Sequence, residues 1–383
     1  MRSSCDASAN SATRTTARGR LARRWPLRPL PSGRAPRYAP PGLVRALLAA
    51  TGAIVVAAVA VTTVGARLVE GKGGATPSPR VAIFFYPWYG TPARDGSYQH
   101  WNQHGNEPPE SIASSYYPAR GIYSSADSSV LRAQMADIAG AQIRVVIVSW
   151  WGSGSPEDVR LPQIVSTAQT FGLRVAIHIE PYQGRTPQTV AADVAHLRTF
   201  GIRDFYVYDS TLYPDTDWAS VNIGLSGVRL FANTSLPGKA AAGGFAGLYT
   251  YDVYQYDGSS FPRMCASARR LDLVCAPSVG PGYDARATGD TRFRGRGSGA
   301  TYDAMWRSAL RARADMVTIT SYNEWHEGTQ IEPAANVGSR YESYDGAWGL
   351  HGKVAQRAYL DRTAWWVDRY RAMTAKTLAG TAG

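Results

Sequence analysis

The feature that most constrains this fold is a series of short apolar runs that alternate with helix-like segments over residues 81–325. The runs lie at 81–90, 144–152, 174–182, 204–210, 228–234, 245–252, 271–283 and 316–325. Each is rich in β-branched and aromatic residues and ends in polar or aromatic ones, which is typical of a buried strand. Eight buried strands that alternate with helices predict an α/β fold, specifically a (β/α)8 TIM barrel.

Helical patterns fill most of the intervals between these runs. The predicted helices lie at 128–141, 161–170, 187–200, 261–270 and 302–313, with a closing helix at 354–373. The fifth run is followed by LPGKAAAGG, which is too short for a full helix. We therefore expect one irregular connection in an otherwise regular barrel.

The amino-terminal region differs in composition from the rest. Residues 1–42 are rich in Arg, Ser, Pro and Ala without an apolar period, which predicts a disordered basic tail. Residues 43–69 follow, and residues 46–66 carry no charge, which is long enough for a transmembrane helix. The preceding Arg residues predict a cytoplasmic amino end, as an uncleaved signal anchor or a signal peptide cut near its end. Residues 70–80 are a Gly/Pro/Ser linker, and the catalytic barrel is expected at 81–375.

The net charge of +12 does not indicate a nucleic-acid-binding body. Residues 1–42 hold nine Arg against one acid, so most of the excess charge belongs to the tail. The chain has no CxxC and no HExxH, and its six His are scattered, so neither a metal nor a cofactor is expected. Cys265 and Cys275 are either a disulfide, if the body is outside the cell, or two separately buried thiols.

Acidic and aromatic side chains collect where the predicted strands end. They are Tyr86, Trp88, Tyr89, Trp150, Trp151, Glu180, Tyr182, Asp209, Asn233, Tyr251, Asp252, Tyr283, Asp284, Glu324 and Glu327. In a barrel these ends meet at one mouth, where the active site lies. Aromatic faces pack on the C–H faces of sugar rings and acids hold hydroxyl groups, so this mouth predicts a sugar-binding cleft.

The last predicted strand leads into SYNEWHEGTQIEPA, where Glu324 and Glu327 flank a Trp and a His. Soluble proteins keep Glu out of their interiors unless it is paired or useful. Acid/base chemistry on a sugar needs two carboxyls, one protonated by apolar surroundings and one ionised. Two solvated Glu in a surface loop are the alternative for an isolated ExxE.

The string NEWHEGTQIEP resembles the signature of glycoside hydrolase family 99, the endo-acting α-mannosidases and α-1,2-mannanases. FYPWYG, YQHWN, SWWG, HIEPY and SVGPGY resemble further segments of that family in the same order, over residues 81–335. The resemblance implies a retaining mechanism through a 1,2-anhydro sugar. In it Glu327 is the general acid/base, and Glu324 takes the proton of the mannose 2-hydroxyl.

The same resemblance implies a set of substrate-binding residues. They are Tyr86, Trp88, Trp150, Trp151, Glu180, Tyr182, Tyr251, Arg286, Asn323 and His326. Trp150 or Trp151 would line the pocket, and Asn323 would orient its neighbouring Glu. Arg286 is chosen among the arginines of 286–296, a stretch that departs from the eukaryotic pattern. His326 would either orient a Glu or pack structurally.

The expected activity is hydrolysis of internal α-1,2-mannosidic linkages in mannan or N-glycan-like oligosaccharides. Two alternatives stay open: a hydrolase of another α-linked envelope polysaccharide, and a non-catalytic, membrane-anchored glycan-binding barrel. The expected partners are an α-mannose-containing glycan and, through residues 46–66, a membrane. A monomer is expected, with the catalytic domain extracytoplasmic, membrane-anchored or secreted.

Overall fold

The computed structural model describes residues 80–380. The predicted tail, the hydrophobic segment at 43–69 and the linker up to residue 79 lie outside that range. Within residues 80–380 no helix combines the length and the apolar character that crossing a bilayer requires.

Nine parallel strand segments form one sheet. They are β1 (Arg80–Phe85), β2 (Val145–Trp150), β3 (Arg174–Ile179), β4 (Asp204–Val207), β5 (Arg229–Asn233), β6 (Gly247–Tyr249), β7 (Val274–Ala276), β8 (Ser278–Val279) and β9 (Met316–Ile319). Their order in the sheet is β7-β6-β5-β4-β3-β2-β1-β9-β8. Only Pro277 separates β7 from β8, the two segments at the ends of this order. The sheet is therefore a nearly closed parallel barrel, consistent with a (β/α)8 fold in which the seventh strand is split.

Proline explains the split, since it has no N–H to donate to a neighbouring strand. The half before Pro277 pairs with β6, where Cys275 lies opposite Leu248. The half after it pairs with β9, where Val279 lies opposite Ile319. The seventh strand thus changes its neighbouring strand at Pro277.

Helices cover the outside of this sheet. They are α1 (Pro92–Asp95), α2 (Ser128–Gly140), α3 (Pro156–Thr170), α4 (Pro187–Leu197), α5 (Asp215–Asn222), α6 (Pro237–Ala242), α7 (Phe261–Arg269), α8 (Ala300–Arg311) and α9 (Ala358–Gly380). Short 3-10 turns lie at Gln103–Gly105, Arg198–Phe200, Ser210–Leu212, Arg286–Thr288, Gly297–Gly299, Ala347–Gly349 and Ala355–Arg357. Local signals set several helix starts: Asp127 accepts the Ser129 N–H at 2.7 Å before α2, and Ser155 accepts that of Asp158 at 3.2 Å before α3.

Two small antiparallel pairs lie outside the barrel sheet. Tyr117–Pro118 pairs with Ala334–Ala335, and Tyr283–Asp284 pairs with Phe293–Arg294. The second pair closes a hairpin over residues 283–294. We call this hairpin, together with the two residues that follow it, the 283–296 hairpin.

The eight predicted runs each contain a strand of the sheet, so the parallel barrel is confirmed. The connection after the fifth strand holds only the six-residue α6, as its length suggested. Helix α5 was missed, because DTDWASVN shows little apolar periodicity and buries only Trp218. Cys265 of α7 and Cys275 of β7 are joined in a disulfide, with their Cα atoms 5.2 Å apart.

Candidate active site

The segment after β9, residues 321–330, carries the paired carboxyls, and we call it the carboxylate loop. Asn323 fastens this loop to the end of β1. Its Oδ1 accepts the Tyr86 N–H at 2.8 Å, and its Nδ2 donates to the Tyr86 carbonyl at 2.9 Å. Ser321 Oγ accepts the Glu324 N–H at 2.8 Å. These bonds fix the loop backbone at the carboxyl end of the barrel.

A cavity of about 150 Å³ opens beside the loop, a size comparable to one hexose ring. Its walls come from the carboxyl ends of six strands. The lining residues are Tyr86, Trp88, Trp151, His178, Glu180, Pro181, Tyr208, Tyr251, Glu324 and Glu327. The cavity therefore collects three carboxyls and several aromatic rings at the barrel mouth, where the sequence predicted a sugar cleft.

Glu327 is the carboxyl most open to the cavity. Tyr251 donates its hydroxyl to Glu327 Oε2 at 3.2 Å, and the Tyr251 hydroxyl also bonds that of Tyr86. Burial, followed by the negative charge of Asp252, raises the pKa of Glu327 to about 8, against the lowering effect of the Tyr251 hydrogen bond. A pKa in this range favours the protonated form of Glu327 at neutral pH.

Glu324 is almost completely buried, with 2 % of its surface exposed. Its Oε1 accepts the backbone N–H of His326 at 3.0 Å. Burial, followed by the charge of Glu327, raises the pKa of Glu324 well above its usual value. Hydrogen bonds from the backbone N–H groups of His326 and Glu327 act in the opposite direction and favour the carboxylate.

Glu180 supplies the third carboxyl from the end of β3. Ser149 donates its hydroxyl to Glu180 Oε1 at 2.8 Å, and His178 Nδ1 lies 2.9 Å from the same oxygen. His178 Nε2 lies 2.9 Å from the Tyr249 hydroxyl. His178 and Tyr208 also line the cavity, although neither was predicted from the sequence. For His178 the signal was present, because residues two apart on a strand face the same side and Glu180 was already chosen.

An aromatic wall forms one side of the cavity. Trp88 stacks on the His100 ring with centroids 4.4 Å apart, and Trp151 stands at the mouth with 38 % of its surface exposed. His326 stacks on the other rings and contacts the His100 carbonyl through Nε2 at 2.8 Å. Because a carbonyl only accepts, Nε2 carries the hydrogen and Nδ1 is bare. Burial lowers the pKa of His326 to about 4 and that of His100 to about 3, so both rings are neutral at pH 7.

Two residues predicted to bind substrate lie behind the cavity wall. Trp150 is fully buried and donates its indole N–H to Asp158 at 2.9 Å. Tyr182 packs its ring against Trp150, with centroids 5.9 Å apart, and donates its hydroxyl to Asp193. Between the two tryptophans left open by the sequence, Trp151 is the one that lines the cavity.

Asn323 and His326 also do not line the cavity. Asn323 has no exposed surface, and both ends of its amide bond the Tyr86 backbone, so it orients the loop and not the adjacent Glu324 side chain. His326 reaches Glu324 through its backbone N–H, while its Nδ1 is 3.7 Å from Glu324 Oε1. Both residues position the carboxylate loop.

Arg286 is placed away from the cavity. Its guanidinium forms two bonds to the Asp284 carboxylate, at 2.8 and 2.7 Å, and it lines a separate surface cavity of about 520 Å³. Arg292 is the better candidate among the arginines of 286–296, because its charge acts on Glu327 and lowers that pKa. Arg292 is itself held by Asp290 at 2.7 Å and by the Tyr283 hydroxyl at 3.1 Å.

Across residues 80–380 no group of three or more His, Cys, Asp or Glu side chains is arranged to hold a metal ion. The carboxyls of the cavity can exchange protons with a bound sugar.

Comparisons with known proteins agree with this geometry. The family model of glycosyl hydrolase family 99 matches residues 78–372. The chain is 32 % identical to a glycoprotein endo-α-1,2-mannosidase of Xenopus laevis, over 77 % of this chain and 78 % of that one. It is also 32 % identical to a glycoprotein endo-α-1,2-mannosidase-like protein of Danio rerio, over 77 % of each chain.

A solved structure is similar as well. The family 99 endo-α-mannosidase of Bacteroides thetaiotaomicron superimposes with a TM-score of 0.69 at 28 % identity, over 77 % of this chain and 98 % of that one. The barrel fold, the paired carboxyls and the match to the family model all indicate the same family. This chain belongs to glycoside hydrolase family 99.

Proposed function

We propose that this glycoside hydrolase is a retaining, endo-acting α-mannosidase that cleaves internal α-1,2-mannosidic linkages of mannan or N-glycan-like oligosaccharides. The observation that carries the proposal is the place of Glu327, which lines a cavity the size of one sugar ring and whose pKa burial raises to about 8. The relatives named endo-α-1,2-mannosidases support the substrate class.

In the first step Glu327 is the general acid and Glu324 the general base. Glu324 takes the proton of the mannose 2-hydroxyl as O2 attacks the anomeric carbon. The bond from that carbon to the leaving oxygen breaks, and the Glu327 proton passes to the leaving oxygen. This forms a 1,2-anhydro sugar and leaves Glu324 protonated and Glu327 ionised. In α-mannosides O2 is trans to the leaving oxygen, so the attack comes from the opposite face.

In the second step the roles reverse. Ionised Glu327 takes a proton from water as the water oxygen attacks the anomeric carbon and opens the three-membered ring. Glu324 returns its proton to O2. Two inversions at one carbon give net retention, and both carboxyls recover their starting states. The mechanism differs from the usual retaining pair, in which one carboxylate attacks the anomeric carbon.

This assignment requires the proton to rest on Glu327 and not on Glu324 before reaction. Burial raises the pKa of both carboxyls, and the charge of an ionised Glu327 further raises the pKa of Glu324. The two carboxyls differ in the hydrogen bonds that they accept. Two backbone N–H groups favour the ionised form of Glu324, whereas the side chain of Glu327 receives a single tyrosine hydroxyl at 3.2 Å.

The remaining cavity residues fit the recognition of a hexose. Trp88 and Trp151 offer ring faces for the C–H side of the sugar, and Trp151 stands where a neighbouring sugar would enter. Glu180 is held by Ser149 with acceptor capacity left for a sugar hydroxyl. Arg292 would contact the substrate on the Glu327 side.

The test uses a soluble protein that starts near Pro79, with Glu327→Gln, Glu324→Gln and the surface control Glu107→Gln. We expect Glu327→Gln to bind glycan normally and to lose rate by about a hundredfold or more on α-1,2-mannan, because proton donation is lost. On an aryl glycoside with an acidic leaving group it should lose much less, whereas Glu324→Gln should lose rate on both. A Glu327→Gln enzyme with near-wild-type rate on mannan contradicts the acid assignment.

Product analysis decides the substrate. Wild-type protein is incubated with α-1,2-branched mannan and with a glucosylated α-mannose oligosaccharide, and the products are identified by mass, linkage and anomeric configuration. Release of a disaccharide or longer fragment in the α configuration supports the proposal. Folded protein that releases nothing from either glycan favours another α-linked envelope polysaccharide, or a glycan-binding barrel without turnover.

We further propose that the barrel works outside the cytoplasm, anchored through residues 46–66 or secreted, as a monomer. The disulfide between Cys265 and Cys275 supports an oxidising compartment. Protease added to a culture of intact source cells, medium included, should digest the barrel if this is right. A barrel that is cut only after lysis overturns the proposed location.

A further inference from the structure

A buried arginine next to the carboxylate loop has no role in the mechanism above. Arg296 lies at the end of the 283–296 hairpin, and only 9 % of its surface is exposed. Among the ion pairs of residues 80–380, none joins Arg296 to a carboxylate. Burying a charge without a counter-ion is costly, so this guanidinium needs another source of stabilisation.

Aromatic rings and backbone carbonyls provide that stabilisation. The guanidinium carbon lies 4.6 Å from the ring centroid of Tyr116, 4.7 Å from that of Tyr344 and 4.6 Å from that of Tyr359. Such distances are typical of cation–π contacts. Because no carboxylate forms an ion pair with the guanidinium, its Nη2 can donate hydrogen bonds to the backbone of the carboxylate loop.

Two hydrogen bonds from the Arg296 side chain go directly to that loop. Nη2 donates to the carbonyl of Gly328 at 3.0 Å and to that of Gln330 at 2.7 Å. Gly328 follows Glu327 immediately, so Arg296 holds the peptide next to the proposed acid. An arginine serves this purpose better than a lysine, because its planar fork has fixed donor directions.

The start of the same hairpin holds the loop from the other side. Asp284 donates its backbone N–H to the carbonyl of Glu327 at 2.7 Å. Gly328 has φ +60°, and a Cβ added there would lie 2.8 Å from the Asp284 carbonyl oxygen. The carbonyls of Glu327 and Gly328 are thus both held by one hairpin, at a contact too close for a side chain.

We propose that Arg296 is a positioning residue for Glu327, which it holds in the geometry that delivers a proton to the leaving oxygen. The inference rests on the proposed function, in which Glu327 is the general acid. It assigns to Arg296 an effect on proton donation that a purely structural residue would not have. A shift of about 1 Å in a catalytic group can cost about a hundredfold in rate.

The experiment compares two substrates that differ only in their leaving group. One is an α-1,2-mannoside with a sugar leaving group, which needs a proton, and the other an aryl glycoside with a nitrophenol-type leaving group, which does not. The variants are Arg296→Met, Arg296→Lys and the control Arg294→Met. Arg294 belongs to the same hairpin but donates to the Tyr254 carbonyl at 2.8 Å, away from the carboxylate loop.

We expect Arg296→Met to lose about a hundredfold in kcat on the sugar leaving group with KM nearly unchanged, and less than about fivefold on the aryl leaving group. Arg296→Lys should recover part of the loss, and Arg294→Met should keep both rates. Rates are normalised to folded protein. An equal loss on both substrates, or none, overturns the inference.

Two further comparisons keep the result interpretable. If Arg296→Met does not fold, the same leaving-group comparison on Arg296→Lys decides, because lysine keeps the charge and changes the donor geometry. Glu327→Gln is measured alongside. If Glu327→Gln shows the leaving-group dependence and the Arg296 variants do not, only the positioning role fails. If Glu327→Gln itself shows none, the assignment of the acid fails instead.

Discussion

Replacing Glu327 by Gln should make the protein more stable, and the gain should grow with pH. The pKa of Glu327 is about 8 in the fold, against an ordinary value of 4.5. Between these two pH values the folded protein holds a proton that the unfolded chain releases. Folding therefore takes up a proton in this range, and stability falls as the pH rises. Gln has the same shape, cannot ionise and keeps a partner for the Tyr251 hydroxyl.

The magnitude follows from the shift. From pH 4.5 to pH 7 the wild-type protein loses roughly 1.4 kcal/mol per pH unit through this group, or about 3 kcal/mol in all. Glu327→Gln avoids that loss. Its free energy of unfolding should therefore exceed that of wild type by about this amount at pH 7, and by little at pH 4.5. For a domain of this size the difference at pH 7 corresponds to about 5–10 °C in Tm.

The assay is chemical denaturation of wild type and variant at several pH values from 4.5 to 8.5. Glu107→Gln is the matched control, since Glu107 is an exposed glutamate on a surface loop. That control should stay within about 0.5 kcal/mol of wild type without a trend. A Glu327→Gln difference that does not change between pH 5 and 8 would refute the protonated, buried acid on which the mechanism depends.

Three other predictions concern Glu327, its partner Tyr251 and the disulfide. The basic limb of kcat/KM in wild type should fall as the pH rises through about 8, where Glu327 loses its proton. Tyr251→Phe removes the hydrogen bond that lowers this pKa, so the limb should move to higher pH and the rate should fall by about tenfold; an unmoved limb contradicts the contact. Replacing both Cys265 and Cys275 by Ser should lower the free energy of unfolding by about 2–3 kcal/mol, because the bridge closes a loop with a sequence separation of 10. Reductant should destabilise the wild type equally and leave the double variant unchanged.

The sequence predicted the barrel because apolar strands and turn residues leave a local record. It did not predict that Pro277 divides the seventh strand, since SVGPGY and the residues before it read as one apolar run. The strand-end residues Tyr86, Trp88, Trp151, Glu180 and Tyr251 lie at the cavity for a topological reason, since the carboxyl ends of parallel strands meet.

The predicted site residues that lie outside the cavity are side chains whose partners are set by tertiary contacts. Asn323 bonds the backbone of Tyr86, 237 positions away, and no local pattern contains that information. Arg286 forms an ion pair with Asp284, two residues earlier, so its guanidinium does not line the cavity. Alternation alone places Trp150 and Trp151 on opposite sides of the strand but does not say which side faces the cavity.

Three glutamates within nine residues of the chain show how hydrogen bonds sort buried acids into structural and reactive ones. Glu332 is fully buried, and its two oxygens accept from Arg120 at 3.2 Å, Gln134 at 3.0 Å, Tyr123 at 2.8 Å and Trp325 at 3.0 Å. Four donors occupy the lone pairs of a carboxylate, so Glu332 has no capacity left for a substrate. Glu327 has one side-chain donor and, within residues 80–380, no cation at ion-pair distance. A carboxyl at the edge of the cavity that is removed from water and accepts few hydrogen bonds keeps its proton. The raised pKa of Glu327 therefore follows from the small number of donors that the fold places around it.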